Sequence, residues 1–257
     1  MYGLSLLALA LAPGTAIGIY IYLKDKHERE PLSLLMISFF YGALSTIVTL
    51  SISMPLSYLI QSKEEADAIN QFIEAVFKVA LVEEFSKFIF VRFVLFNNKN
   101  FNEPFDGIVY AVMVSMGFAT LENILYVFQS GFTTGVIRMF TAVPAHATFG
   151  ALMGYFLGKA KFTHGRKFFF SLMALATATA FHGSYDYFLF LGEVKGAWAG
   201  VWIGALVALI TGFILSRAAI RIHQQASPFI AQNNLDTQIV DAEIVEPEIK
   251  KDENPGV

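Results

Sequence analysis

The chain contains no cysteine, which rules out a disulfide framework, a thiolate nucleophile and any cysteine-based zinc or iron–sulfur centre. Charge is scarce too. Lys, Arg, Asp and Glu make up 15% of the 257 residues, against roughly 25% in soluble domains. Neither HExxH nor GxSxG occurs, so ordinary zincin chemistry and a serine nucleophile elbow have no support. No internal repeat is evident, which counts against a transporter built from duplicated halves. With 55% hydrophobic residues and a mean hydropathy of +0.55, the composition predicts an all-α, polytopic transmembrane bundle. The expected surroundings are the lipid bilayer, with no nucleic-acid partner. The net charge of −3 decides little, because in such a protein the placement of Lys and Arg matters more than their sum.

What is present is a series of apolar runs. About 20 apolar residues carry a helix across a bilayer, and windows of that length lie at 3–23, 32–60, 72–96, 105–129, 132–158, 168–191 and 197–217. The first has no basic n-region and is too long for a signal-peptide core, so it reads as a span. The second is expected to tilt or to break near Pro55, and the fifth to bend at Pro144, because proline frees a backbone carbonyl. Residues 62–71 read as a polar extracytoplasmic helix leading into the third span. Residues 1–222 then form the membrane domain, and 223–257 an acidic tail of disorder-like composition. If seven spans alternate, Lys24, Lys26, Arg29, Lys99, Lys159, Lys161, Arg166, Lys167, Arg217 and Arg221 all fall on one side, with Lys63 and Lys195 opposite. The bias of basic residues towards the cytoplasm then puts the N-terminus outside and the C-terminus inside a bacterial inner or plasma membrane.

Ionisable groups inside the spans are few and segregated. One charged acid at the bilayer centre costs roughly 2.5–3.5 kcal/mol on insertion scales, yet the third window carries Glu83, Glu84 and Lys87. Helical spacing lets Glu83 and Lys87 pair at i,i+4 and turns Glu84 towards another partner. The fourth window carries Glu122 and Asn123, the fifth His146, and the sixth His182 and Asp186. Asp186, one turn beyond His182, reads as its orienting carboxylate. Gly150, Gly154 and Gly158 read as a close-packing stripe, and Arg138 as a surface residue that snorkels. A rise of about 1.5 Å per residue puts Glu83, Glu122, His146 and His182 between the midplane and the outer leaflet. Four spans can therefore meet at one polar cavity.

Paired acids beside histidines suit water activation. One carboxylate takes a proton from water, a second group holds that water, and an imidazole donates to the oxyanion formed on an amide. A zinc ion held by His146, His182 and one glutamate, Glu83 first, is a geometric possibility. A proton-coupled transporter and a non-catalytic membrane scaffold are the competing readings of the same residues.

Glu83-Glu84-x-x-Lys87, Phe118-x-x-x-Glu122-Asn123, His146-x-x-x-Gly150 and His182-Gly-x-Tyr185-Asp186 together resemble the motif set of the PrsW family of intramembrane proteases, over about residues 10 to 215. That family is similar to the type II CAAX-protease superfamily, whose pattern is a double glutamate, FxxxH and a final HxxxN. The resemblance implies that Glu83 is the leading base, that Glu84 assists, and that His182 with Asp186 serves the oxyanion. This sequence departs at the second motif, where Glu122 stands in place of histidine, and His146 is the candidate to hold the water instead. Members have been grouped both as metalloproteases and as glutamate proteases, and the metal-free reading is preferred here. The implied partner is a single-pass, anti-sigma-factor-like membrane protein cut on its extracytoplasmic side.

Overall fold

The computed structural model describes residues 2–59, 67–194, 197, 198 and 200–230. Among these, every regular element is a helix. The first two are α1 (Tyr2–Lys24) and α2 (Leu32–Leu59). A continuous helical run follows from Ala68 to Asn97. In it α3 (Ala68–Ile73) and α4 (Leu81–Ile89) alternate with wider π turns at Glu74–Ala80 and Phe90–Val94, before a 3-10 turn at Leu95–Asn97. Then come α5 (Pro104–Ser130), α6 (Phe132–Phe140), α7 (Ala142–Phe162), α8 (Lys167–Gly192) and α9 (Val201–Gln225).

Among the described residues, five stretches are long and apolar enough to cross a membrane: Gly3–Lys24, Leu32–Leu59, Pro104–Ser130, Phe132–Phe162 and Val201–Gln225. That is two fewer than the seven windows. The windows at 72–96 and 168–191 are helical as well. One is interrupted by π turns, and both carry the ionisable groups that dilute an apolar run. Of the polar segment 62–71, the described part begins at Asp67, whose carboxylate caps α3 by accepting from the Asn70 N–H at 2.7 Å. Residues 62–66, Lys195 and the tail from 231 lie outside the described residues.

Local chemistry sets the other boundaries. Pro104 occupies the first turn of α5 behind a reciprocal cap between Glu103 and Asp106, an arrangement that satisfies otherwise orphaned N–H groups. Gly131, with φ of 85°, ends α5 in a conformation that favours glycine and turns the chain back into α6. The prolines do not mark breaks. α2 runs through Pro55, and the fifth window divides at Thr141. Pro144 then sits in the first turn of α7, where a missing N–H costs nothing.

The bundle is built round α5, which is buried almost continuously from Phe105 to Thr120. Lipid tails are as apolar as leucine, so helices in a bilayer associate through close fit. The glycine stripe supplies that fit: a Cβ at Gly154 would lie 2.5 Å from Ile108 Cα and would strike the Gly107 carbonyl of α5. On the other side of α5, Gly117 meets the backbone of Phe39 in α2. Leu4, Met36 and Phe168 point outward at 74%, 73% and 82% exposure, as a lipid-facing surface requires.

One end of the bundle gathers the basic connections. Lys161 donates to the carbonyls of Phe96 and Asn98 at 2.6 and 3.3 Å, and Gln224 donates to the carbonyl of Lys24. Asp25 and Glu30, in the α1–α2 connection, are buried there. Burial, reinforced at Asp25 by the neighbouring Glu103, pushes both carboxyls up to about 7.

Candidate active site

The π turns on either side of α4 set the rotation of the segment that carries the two glutamates, and such turns recur at functional sites. Within α4, Glu83 and Glu84 stand side by side in the first turn and Lys87 in the last. Lys87 Nζ lies 2.7 Å from Glu84 Oε1 and 3.5 Å from Glu83 Oε2. The i,i+4 pair of Glu83 and Lys87 expected from spacing is present, but Glu84 holds the lysine more closely. The same ammonium donates to His146 Nδ1 at 3.2 Å and sits 3.9 Å over the Phe118 ring. With its donors thus engaged, Lys87 is a fixed positive charge beneath the cavity.

α8 delivers the second imidazole. His182 Nδ1 lies 2.9 Å from Glu84 Oε1, and Nε2 lies 3.1 Å from Asp186 Oδ2. Carboxylate oxygens only accept, so both ring nitrogens donate and the ring in this arrangement is an imidazolium. Asp186 orients His182, as its position one turn later implied. Phe149 stacks on the ring at 4.8 Å and 17°, which fixes its plane. Glu83 Oε2 is 3.9 Å from His182 Nε2, beyond a direct hydrogen bond.

From α7, His146 Nε2 meets Glu122 Oε2 of α5 at 3.0 Å. With Nδ1 accepting from Lys87, Nε2 carries the proton and donates to Glu122. The ring centroids of His146 and His182 are 5.1 Å apart. The fold thus brings all the polar residues singled out in the four middle windows to one place. Only some of them face open space. A cavity of about 170 Å³ is lined by Glu83, Glu122, His146, His182, Asp186, Tyr126, Arg138 and Tyr185, among others. Glu84 and Lys87 are not in its lining. They lie behind it, at 0% and 1% exposure.

Arg138 does not snorkel to the surface as its position suggested. It stands on α6, which folds back after Gly131, and its Nη2 meets Glu122 Oε2 at 2.6 Å while Nε donates to Asn123 Oδ1 at 3.1 Å. Its guanidinium also lies 4.0 Å over Tyr126. Asn123 relays this grip to α1 by donating to the Ala10 carbonyl at 3.2 Å. The signal available in the sequence was Gly131, a helix stop soon after Glu122-Asn123 that could return an arginine to them.

The arrangement combines a carboxylate held only loosely by Lys87 at a cavity wall, a cationic imidazole facing it, and a second acid–imidazole pair. It can accept a proton and donate to a developing oxyanion in one enclosed space. Glu83, His146 and His182 also each offer a ligand atom within 4.8 Å of one another.

The family described as PrsW family intramembrane metalloprotease matches residues 30–216. A protein named Protease PrsW from Oceanobacillus iheyensis is 41% identical over 186 residues, covering 72% of this chain and 83% of that protein. Its namesake from Geobacillus kaustophilus is 38% identical over 202 residues, covering 79% and 87%. That from Bacillus subtilis is 34% identical over 186 residues, covering 72% and 83%. No solved structure matches the chain. The matched region runs through both glutamates, both histidines and the arginine, and this chain belongs to the PrsW family of intramembrane proteases.

Proposed function

We propose that the chain is an integral-membrane endopeptidase in which Glu83 activates water against a peptide bond of a membrane-anchored, single-pass protein of the anti-sigma-factor kind. The observation that carries this reading is that Glu83 alone of the tandem acids faces the cavity, while Glu84 is tied to Lys87 and His182. Glu83 takes a proton from water, and the resulting hydroxide adds to the carbonyl carbon. The oxyanion takes the Nε2–H of His182 over from Asp186, while Glu84 keeps hold of the ring at Nδ1. Glu83 then returns the proton to the amide nitrogen as the C–N bond breaks, leaving a carboxylic acid and an amine. His146 positions the water by turning its Nε2–H to it from Glu122, while Lys87 holds the ring at Nδ1. Glu84 and Lys87 act through these groups as positioning residues.

Zinc is the second reading, because the donor set fits it: two imidazoles and a carboxylate lie within reach of one point, with carboxylates against the rings as zinc-binding histidines require. Glu83, His146 and His182 would hold the ion, and a bound zinc lowers the pKa of water and polarises a carbonyl. Lys87, in contact with His146, opposes a dication there, and His182 would first have to give up a ring proton.

The alternation of basic loops supports seven crossings, counting the 68–97 run and α8 with the five apolar stretches, and an N-terminus outside a bacterial inner membrane. Glu83→Gln tests the reading. It is expected to lower cleavage of a co-expressed single-pass substrate by at least about 100-fold, the lower bound of general-base contributions, with membrane insertion and melting retained. Undiminished cleavage would sink it. One zinc per purified chain, lost on His182→Ala, would establish the metal form instead.

A further inference from the structure

A second cluster of buried acids lies at the basic end of the bundle, about 24 Å along α5 from Glu122 at the rise of a helix. Asp25 and Glu30 belong to the α1–α2 connection, whereas Glu103 and Asp106 open α5. Their exposures are 1%, 2%, 1% and 0%. Asp25, Glu103 and Asp106 each bring a carboxylate oxygen within 4.8 Å of the others, and Glu30 reaches Asp106 within hydrogen-bonding range.

Local structure accounts for half of these oxygens. Asp25 Oδ2 accepts from the Glu30 N–H at 3.3 Å, and Asp106 Oδ2 accepts from the N–H groups of Asn102 and Glu103 at 2.7 and 2.8 Å. Glu30 Oε2 accepts from the Tyr110 hydroxyl, and the Glu103 side chain accepts from the Asp106 N–H and lies within hydrogen-bonding range of Ser227. The other half is left over. Asp25 Oδ1, Glu30 Oε1, Glu103 Oε2 and Asp106 Oδ1 are shielded from solvent with no donor among the described residues, and so is the side-chain carbonyl of Asn102. Capping explains why Glu103 and Asp106 are acidic, but not why four acceptors from separate segments converge with nothing to accept. None of the four makes an ion pair with a described residue. The ammonium of Lys161 is taken by two backbone carbonyls.

Buried carboxylates facing each other need shared protons or a cation between them. We infer that Asp25, Glu30, Glu103 and Asp106 form a site for a hard divalent cation of the Mg²⁺ or Ca²⁺ class, which ties the α1–α2 connection to the start of α5. An all-oxygen set selects such ions over zinc.

Equilibrium dialysis of the chelator-stripped full chain in detergent, with Ca²⁺ and with Mg²⁺, tests this. The expected result is one saturable cation per chain in wild type and in Glu83→Gln, held at least tenfold more weakly in Asp25→Asn and in Glu103→Gln. No saturable binding by folded wild type at millimolar cation, or undiminished binding in both variants, overturns the site and leaves the acids sharing protons. If a carboxylate variant fails to fold, Tb³⁺ serves as the probe, because Tyr110 adjoins Glu30 and can sensitise its emission. Loss of that emission in Tyr110→Phe supports the placement, and unchanged emission refutes it.

Discussion

Glu122 is held by two donors of different kinds, the neutral His146 ring at 3.0 Å and the Arg138 guanidinium at 2.6 Å. Only the histidine was foreseeable from its depth in a span. A charge-assisted hydrogen bond contributes about 1.5–3 kcal/mol, and Glu122 is largely shielded, with its side chain 17% exposed. Arg138→Gln should therefore lower stability by about 1–2 kcal/mol. It should also lower cleavage about tenfold, since the freed Glu122 no longer fixes the His146 ring. Arg138→Lys should recover the charge but not the fork to Asn123, and so only part of the activity. Thermal melts and initial cleavage rates of the two variants check both statements. Equal activity of Arg138→Gln and wild type would reduce Arg138 to a structural clasp.

The helices hold together by backbone proximity, most clearly where α7 crosses α5. Gly154→Ala places a methyl 2.5 Å from Ile108 Cα, a contact that neither helix can relieve by turning a side chain. It should cost about 1–3 kcal/mol, the range for overpacking, seen as a lower melting temperature. Gly3→Ala, with nothing within 4 Å, should leave melting unchanged. The α1–α2 connection carries a different sensitivity. Asp25 and Glu30 titrate near 7 in the folded chain, but near 4 when unfolded. Between those values the folded protein keeps protons that the unfolded chain has released. The stability they contribute is complete at low pH and is lost as pH rises through 7. With chelator present, melting temperature should fall from pH 5 to pH 8, and Asp25→Asn should flatten that slope. A slope that wild type and variant share would assign it to other groups.

Across the whole molecule, topology can be read directly, because the chain has no cysteine of its own. Thr133 opens α6 and His164 lies in the α7–α8 turn, and both are exposed. With the N-terminus outside, Thr133→Cys should react with a membrane-impermeant maleimide in intact cells. His164→Cys should react only after permeabilisation. The opposite pattern would invert the proposed orientation and move the cavity to the cytoplasmic half.

Much of this was legible in order along the chain. Apolar runs of membrane length dictate helices, because a backbone in lipid must satisfy its own hydrogen bonds. The cost of burying charge marks Glu83, Glu84, Glu122, His146, His182 and Asp186 as residues kept for a reason. The i,i+4 step from His182 to Asp186 even fixed a contact, since both ends lie on one helix. Contacts between helices were another matter. Whether Lys87 leans to Glu83 or Glu84 depends on His146 and His182 arriving from α7 and α8. Arg138 reaches Glu122 only because Gly131 folds α6 back. The four acids at the far end converge only once the α1–α2 connection docks on α5. Sequence by itself determined which residues are too costly to bury without a partner; packing of distant segments decided which partner each one found, because pairing energy depends on separations of a few ångströms that spacing along a chain does not encode.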